Sequence, residues 1–97
     1  MNVDPIKNNA KDVARLLKAL SNERRLIIVC VLCDQEKCVG ELEKIVNLSQ
    51  SALSQHLARL RRDGIVKTRR DAQTIYYSLA CQSTKSLLER LGHIFCD

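Results

Sequence analysis

The stretch that decides the fold is residues 48–79, LSQSALSQHLARLRRDGIVKTRRDAQTIYYSL. Three leucines recur in it at the i, i+4, i+7 spacing of one helix face: Leu53, Leu57 and Leu60. Ser49 precedes this helix as a good N-cap, and Gly64 follows it as a good C-cap. Two runs rich in β-forming residues, 65–69 and 74–79, then flank a polar turn. The stretch therefore predicts a helix that leads directly into a two-stranded β-wing.

Helical patterns fill most of the remaining chain. Apolar residues at helical spacing predict four further helices: 6–20, 23–33, 39–46 and 83–95. The second of them is apolar almost all round, which is typical of a buried helix. With the helix of residues 49–63 in fourth place, the order is α-α-α-α-β-β-α. We therefore predict a mainly α fold with a two-stranded β-wing, a winged helix-turn-helix, formed as a single domain by residues 1–97.

The charge excess of the chain lies in one segment. Residues 50–70 contain six basic side chains and one acid, whereas the rest of the chain balances ten basic residues against ten acidic ones. The six are Arg59, Arg61, Arg62, Lys67, Arg69 and Arg70. A helix followed by a basic ribbon suits double-stranded DNA. Aromatic residues are scarce, at 3%, which disfavours a binder of single-stranded nucleic acid, because such proteins stack bases on aromatic side chains.

The second helix of a helix-turn-helix pair lies in the major groove, with its N-terminal residues against the base edges. With its leucines facing the core, helix 49–63 presents a set of outward polar residues: Gln50, Ser51, Ser54, Gln55 and, at the margin, His56. Glutamine can pair with adenine through two hydrogen bonds, and serine can bind several bases or a phosphate. Further residues are expected at phosphates or in a minor groove: Arg59 and Arg62 on the helix, and Arg69, Arg70 and Gln73 on the wing. The competing interpretation is a solvated helix face beside a charged hairpin.

Composition and cysteine content indicate the compartment. No segment approaches the ~20 apolar residues that span a bilayer, and the longest apolar run, 26–33, lies inside the chain. We therefore expect a cytoplasmic protein without membrane contact, in which the five cysteines are thiols rather than structural disulfides. We expect no enzymatic activity and no cofactor, because the sequence offers no general base close to any cysteine.

Four segments carry a resemblance to a known family. They are LSNERRL at 20–26, VGEL at 39–42, SQSALSQHLARLRRDG at 49–64 and IYYSL at 75–79. With these segments the chain resembles the ArsR/SmtB family of small bacterial repressors over nearly its whole length. The resemblance implies a homodimer built from the first and last helices. It also implies repression of transcription from operator DNA, relieved by an inducer.

The resemblance also implies where a metal site would lie. Metalloid-sensing members place Cys-x-Cys at the start of the third helix, where this chain has Cys38, Val39 and Gly40 and thus a single thiol. Zinc-sensing members use Asp-x-His with His-x-x-Glu or His-x-x-His on the last helix, where this chain offers His93 and Asp97. Because zinc takes about four ligands, we predict no metal site of either kind.

Two cysteines resemble the sensing dithiol of the BigR, SqrR and HlyU branch of the family: Cys30 in the second helix and Cys96 at the end of the last. In that branch reactive sulfur species or oxidants link the two cysteines by a disulfide or a short polysulfide chain, and operator binding weakens. The chemistry is reasonable, since a thiolate attacks a persulfide sulfur and a second thiol captures the product.

Three alternatives to this dithiol stay open at the level of sequence. The first is that Cys30 is a small buried hydrophobic residue in an apolar helix. The second is a soft-metal or metalloid-responsive repressor of the same fold, whose candidate ligands are Cys30, Cys33, Cys38 and Cys96. The third is a thiol-dependent sulfur-transfer enzyme.

Overall fold

Five helices and three strands follow one another in the computed structural model, which describes residues 1–96. In chain order they are α1 (Asp4–Leu20), α2 (Glu23–Leu32), β1 (Lys37–Cys38), α3 (Val39–Val46), α4 (Gln50–Arg62), β2 (Val66–Asp71), β3 (Thr74–Leu79) and α5 (Gln82–Phe95). The predicted mainly α winged helix-turn-helix is confirmed, with α3 and α4 as the helix pair. The structure adds β1, which the sequence did not predict.

The wing belongs to an antiparallel sheet with strand order β1-β3-β2. In the hairpin Asp71 pairs with Thr74, so the turn holds only Ala72 and Gln73. Ala72 has φ 57°, and a positive φ is common in two-residue hairpin turns. β1 adds two residue pairs on the other side of β3. Two residues are too few to show an alternating pattern, which is why the sequence did not predict this strand.

The ends of α4 are fixed by local hydrogen bonds. Ser49 Oγ accepts a hydrogen bond from a backbone N–H of the first turn at 3.1 Å, as its predicted N-cap role requires. At the other end the Gly64 N–H donates to the carbonyl of Arg61 at 3.0 Å, and the Ile65 N–H donates to that of Leu60 at 2.9 Å. These two bonds form a Schellman motif. The motif turns the chain directly from α4 towards β2.

The predicted leucine stripe of α4 lies in the core. Leu53, Leu57 and Leu60 are 0%, 1% and 0% exposed. Ile28 of α2 and Leu42 of α3 are also fully buried and belong to the same core. Full burial of each such side chain contributes roughly 1.5–3 kcal/mol. The stripe therefore fixes the rotation of α4 about its axis and leaves the opposite face in solvent.

Besides α3, which exposes Ile45, three helices leave large apolar side chains exposed. We call this set the apolar face: Ile6 and Leu17 of α1, Ile27 of α2, and Ile94 and Phe95 of α5. Leu17 is 51% exposed and Phe95 is 78% exposed. The predicted buried helix α2 is buried at Ile28, Val29 and Leu32. It is not buried all round, because Ile27 and Cys30 are exposed. Within the described residues, no helix has the length and apolar character needed to cross a bilayer.

The turn after α4 gives a test of the backbone argument. Gly64 has φ +74°, and a Cβ added there meets nothing within 4 Å. Gly64→Ala should therefore lower the free energy of unfolding by about 1–2 kcal/mol, because a side chain in the left-handed region is strained. The matched control is Gly40→Ala in α3, where a Cβ also meets nothing within 4 Å and we expect stabilisation by about 0.5–1 kcal/mol. Urea unfolding at fixed protein concentration measures both changes in the free energy of unfolding. Changes of the same sign in the two variants would contradict the role given to Gly64.

Candidate DNA interface and thiol sites

The outer face of α4 carries the polar residues predicted to read DNA. Four of them are exposed: Gln50, Ser51, Ser54 and Gln55. His56, predicted at the margin, is half-buried. Burial lowers the pKa of His56, and the charges of Arg25 and Arg24 lower it further. The imidazole is therefore neutral at pH 7, with one nitrogen that donates a hydrogen bond and one that accepts.

Arg24 and Arg25 in the first turn of α2 bring positive charge close to α4, which the sequence analysis missed. Asn22 Oδ1 accepts hydrogen bonds from both of their backbone N–H groups, at 3.0 and 3.1 Å, and so begins the helix there. Arg25 Nε donates to the carbonyl of Ala19 at 2.6 Å. Burial and then the charge of Arg59 lower the pKa of Arg25. Arg25 thus links α1 to α2, whereas Arg24 is exposed. The sequence signal was an N-cap residue with two arginines shortly after it.

The arginines of α4 lie in two environments. Arg59 Nε lies 3.4 Å from Asp63 Oδ2, an i,i+4 ion pair that compensates its charge. Arg61 and Arg62 are exposed. They line a concave surface between α4 and the sheet together with Ser54, Ala58 and Tyr77. Arg62 was a predicted phosphate contact, whereas Arg61 entered the sequence analysis only as part of the charge excess.

Arg69 of the wing is already bound to protein groups. Its Nε donates to both carboxylate oxygens of Glu36, at 3.0 and 3.1 Å. Its guanidinium carbon lies 4.5 Å from the centre of the Tyr76 ring. The hydrogen bond from Arg69 lowers the pKa of Glu36, so this pair is ionised at neutral pH. Arg70 and Gln73 are exposed, so the wing presents these two residues to solvent, while Arg69 holds the wing to the loop before β1.

The two predicted sensing cysteines lie within electrostatic range of each other in one chain. Cys30 on α2 and Cys96 directly after α5 are both exposed, so the alternative of a buried Cys30 is wrong. Desolvation by the protein around it raises the pKa of the Cys30 thiol, and the charges of Cys33 and Cys96 raise it further. Cys96 therefore lies within electrostatic range of Cys30. Because of its raised pKa, Cys30 is protonated at neutral pH and reacts slowly unless a neighbouring group takes its proton.

The other candidate ligands of a metal are dispersed over the fold. Cys33 Sγ lies 3.9 Å from the carbonyl oxygen of Lys85, a weak hydrogen bond. Cys38 begins α3 and pairs with β3 through β1. Within residues 1–96, no three Cys, His, Asp or Glu side chains form a group that could hold a metal ion. His93 is exposed, and Asp97, considered beside it above, lies outside the described residues.

Cys81 has the most acidic thiol among the cysteines whose pKa is shifted, and the sequence analysis did not single it out. It is the N-cap residue of α5. Its Sγ lies 3.2 Å from Ser83 Oγ and 3.3 Å from Thr84 Oγ1. Hydrogen bonds from these two hydroxyls, with that of Ser83 the larger cause, lower the pKa of Cys81 to about 7. The available signal was the sequence Cys-x-Ser-Thr at the start of a predicted helix.

In this chain α3 and α4 pack together on the core, α4 exposes a polar outer face, and a basic wing follows. These features define the class of winged helix-turn-helix DNA-binding proteins. Residues 22–68 match the family model described as "Bacterial regulatory protein, arsR family". The chain is 51% identical over 97 residues to the transcriptional activator HlyU of Vibrio cholerae, an alignment that covers 100% of this chain and 90% of that protein. The chain therefore belongs to the ArsR family, and the resemblance seen in the sequence is confirmed.

Solved structures support the same assignment. Reduced HlyU from Vibrio cholerae has a TM-score of 0.89 at 50% identity, over 96% of this chain and 98% of that one. The transcriptional repressor BigR from Xylella fastidiosa has a TM-score of 0.93 at 42% identity, over 100% and 99%. A homodimeric winged helix-turn-helix DNA-binding domain from Mycobacterium bovis has a TM-score of 0.81 at 28% identity, over 94% and 84%. The chain is a transcriptional regulator of this family.

The hydroxyl contacts of Cys81 predict the pH dependence of its reactivity. Alkylation by iodoacetamide, followed by peptide mapping, should reach half its maximal rate near pH 7 at Cys81, where the pKa is about 7. At Cys30 and Cys33 it should do so only above pH 9, because their pKa values are raised from 9.0. Ser83→Ala removes one stabilising hydroxyl and should raise the midpoint pH, at which Cys81 alkylation reaches half its maximal rate. Ser86→Ala, an exposed serine in the same helix, is the control and should leave it unchanged. A Cys81 midpoint near 9 in the parent protein would contradict the hydrogen-bond argument.

Proposed function

We propose that this chain is a homodimeric repressor that leaves its operator DNA when Cys30 and Cys96 react with persulfides or oxidants and become linked. The observation that carries the proposal is that these two thiols, from α2 and from the end of α5, are both exposed and lie within electrostatic range of each other. Two relatives support it in part, since BigR is named a repressor and one HlyU structure is described as reduced. HlyU is itself named an activator, so the sign of regulation is part of the proposal.

The apolar face supports dimerisation through a second copy of the chain. Four of its five side chains belong to α1 and α5, the two helices that the family resemblance implies for the dimer. Burial of each contributes roughly 1.5–3 kcal/mol, which favours a partner that covers all of them at once. The related domain from Mycobacterium bovis is homodimeric.

Docking on DNA follows from the exposed face of α4. A dimer presents two such helices, so we expect an inverted repeat whose half-sites lie about one helical turn (~10 bp) apart. We assign base edges to the exposed polar residues of the first two turns: Gln50, Ser51, Ser54 and Gln55. We assign phosphates to the exposed arginines and the wing tip: Arg61, Arg62, Arg70 and Gln73. Arg59 and Arg69 act in this proposal mainly by positioning α4 and the wing, because each is already paired with a carboxylate.

The linking reaction balances with a persulfide as the only co-reactant. A cysteine thiolate attacks the outer sulfur of RSSH, the S–S bond of RSSH breaks, and RS⁻ leaves and takes up a proton. The second cysteine then attacks the sulfur of the first, forms a disulfide and expels hydrogen sulfide. If both cysteines are persulfidated first, the terminal sulfur of one attacks Sγ of the other. The S–S bond of the second persulfide breaks, hydrogen sulfide leaves, and a bridge of three sulfur atoms remains. A direct disulfide needs Cα atoms within about 7 Å, and an added sulfur lengthens the reach.

The bridge would connect α5, which contributes to the apolar face, to α2, which packs in the same core as the proposed reading helix α4. Ile28 and Val29, next to Cys30 in α2, belong to the same core as the leucine stripe of α4. Ile94 and Phe95, next to Cys96, belong to the apolar face. A link between Cys30 and Cys96 therefore biases the packing of α5 against the body of each subunit. In the dimer this changes the separation of the two reading helices, which must match successive major grooves.

The assignment of the reading face predicts two separable effects. Gln55→Ala should relax the base preference at one position in each half-site by about 1–3 kcal/mol, because a bidentate contact to a base is lost. Arg70→Ala should weaken binding to all sequences alike. It should also reduce the slope of log K against log [salt] by about 2, one unit for each subunit. Fluorescence anisotropy with operator and mutated operator, at several salt concentrations, measures both. Unchanged discrimination in Gln55→Ala would contradict the reading face, and an unchanged slope in Arg70→Ala would contradict the phosphate contact.

The dithiol predicts which cysteines the response requires. Cys30→Ser and Cys96→Ser should each bind operator with parental affinity, because neither residue lies on the DNA face of α4 or the wing. Neither should be released by a persulfide, whereas the parent should lose about 5- to 150-fold in affinity, the usual range of coupling between two sites. Cys38→Ser is the matched control and should respond like the parent. Anisotropy gives the affinities, and intact-mass spectrometry gives the number of sulfur atoms in the bridge. A Cys96→Ser protein that released DNA as readily as the parent would rule out the dithiol.

A further inference from the structure

A second group of thiols lies in a cleft between α2, the base of the wing and α5. The cleft has a volume of about 340 Å³, within the roughly 300–1,000 Å³ range of small-molecule sites. Two thiols and two ammonium groups line it: Cys33, Cys81, Lys67 and Lys85. Asp34 and Glu36 also line it, but Glu36 is paired with Arg69. Two ammonium groups, Lys67 and Lys85, and the carboxylate of Asp34 therefore lie beside the two sulfur atoms without a salt bridge in the described residues.

Only one of the two thiols is arranged to react. Cys33 is half-buried, and its Sγ is directed to the carbonyl oxygen of Lys85 at 3.9 Å. Burial, followed by the charges of Glu89 and Asp34, raises the pKa of Cys33, so it remains a thiol at neutral pH. Cys81 is exposed and also lines a second cleft of about 370 Å³ on the side of α1. Cys81 is therefore an exposed residue that the two clefts share.

The contacts of Cys81 hold it as a thiolate in place. Thr84 is only 2% exposed, so the hydroxyl that lies 3.3 Å from Cys81 Sγ is anchored in the protein. Ser83 approaches the same sulfur at 3.2 Å from the exposed side. With a pKa of about 7, about half of the Cys81 side chains are ionised at neutral pH. The thiolate is the form that attacks a disulfide.

We propose that Cys81 is a modification site, and that the cleft with Cys33, Lys67 and Lys85 takes small disulfides that carry carboxylates and form a mixed disulfide with Cys81. The proposal uses neither Cys30 nor Cys96 and is independent of the proposed switch. The two lysines select the carboxylates of the reagent, and Cys33 contributes a neutral wall. The modification is reversible by an excess of the corresponding thiol.

The step is an ordinary thiol–disulfide exchange. The Cys81 thiolate attacks one sulfur of R–S–S–R, and a bond forms between Cys81 Sγ and that sulfur. The original S–S bond breaks, and its electron pair leaves with the second sulfur as RS⁻, which takes up a proton from water. Cys81 is oxidised by the disulfide, one half of which is reduced to RSH, so no other oxidant is needed.

The test treats the reduced full-length protein with glutathione disulfide at pH 7, followed by acid quench and peptide mapping. The tryptic peptide of residues 71–85 contains Cys81 and no other cysteine. We expect the adduct on this peptide first, at a rate about three- to fivefold above that of the same cysteine in unfolded protein, as the gain in thiolate outweighs the loss in nucleophilicity. Cys81→Ser should abolish this adduct, whereas Cys38→Ser should leave it unchanged.

The role of the cleft has its own control. Lys85→Gln should slow the reaction with glutathione disulfide by about two- to fivefold, the effect of one solvent-exposed ion pair. It should leave unchanged or accelerate the reaction with cystamine, a small disulfide that carries amines. An adduct that forms first on Cys33 or Cys38, or a folded Cys81 that reacts no faster than the unfolded one, would overturn the proposal. Equal effects of Lys85→Gln on both reagents would also overturn it, because the cleft would then not select the charge of the reagent.

Discussion

The burial of the α4 leucine stripe is the interaction on which the rest of the structure depends. Leu53, Leu57 and Leu60 share a core with Ile28 of α2 and Leu42 of α3. Since three positions on one face fix the rotation of a helix, the polar residues on the opposite face have no alternative to solvent. The same contact fixes α2, which is why Cys30 is held on an exposed side of that helix. The exposed polar face of α4 and the exposure of Cys30 are thus consequences of one packed interface.

The wing depends on two further constraints that lie outside this core. The Schellman motif at Gly64 sets the direction in which the chain leaves α4, so the start of β2 is fixed by backbone hydrogen bonds. The ion pair of Arg69 with Glu36, with the guanidinium over the Tyr76 ring, then holds the wing to the loop before β1. Since Arg69 is already paired with Glu36, a basic residue on a wing is not by itself evidence of a phosphate contact.

Local signals in the sequence predicted most of the fold, and long-range contacts account for what they missed. The caps and stripe of α4 and the hairpin of β2 and β3 are encoded within about one element each, and all three were predicted. β1 exists only because β3 lies beside it, and Glu36 reaches Arg69 across 33 positions. In the candidate site, the exposed polar face of α4 followed from periodicity, whereas the proximity of Cys30 and Cys96 followed only from a family resemblance. The acidity of Cys81 depends on two hydroxyls whose orientation no spacing rule specifies.

The cysteines at the two ends of α5 have opposite requirements for reaction. At the start of the helix, the hydroxyls of Ser83 and Thr84 stabilise the Cys81 thiolate, so a reagent needs access to only one sulfur atom. Cys96 follows the other end of α5, and near it burial and the neighbouring thiols raise the pKa of Cys30 on α2. The bridge proposed there therefore requires that the second thiol captures a first adduct. A helix of 14 residues is about 20 Å long, which separates the two sites. A single-thiol modification at Cys81 and a two-thiol bridge at Cys30 and Cys96 can therefore proceed in one subunit without competition for the same sulfur atoms.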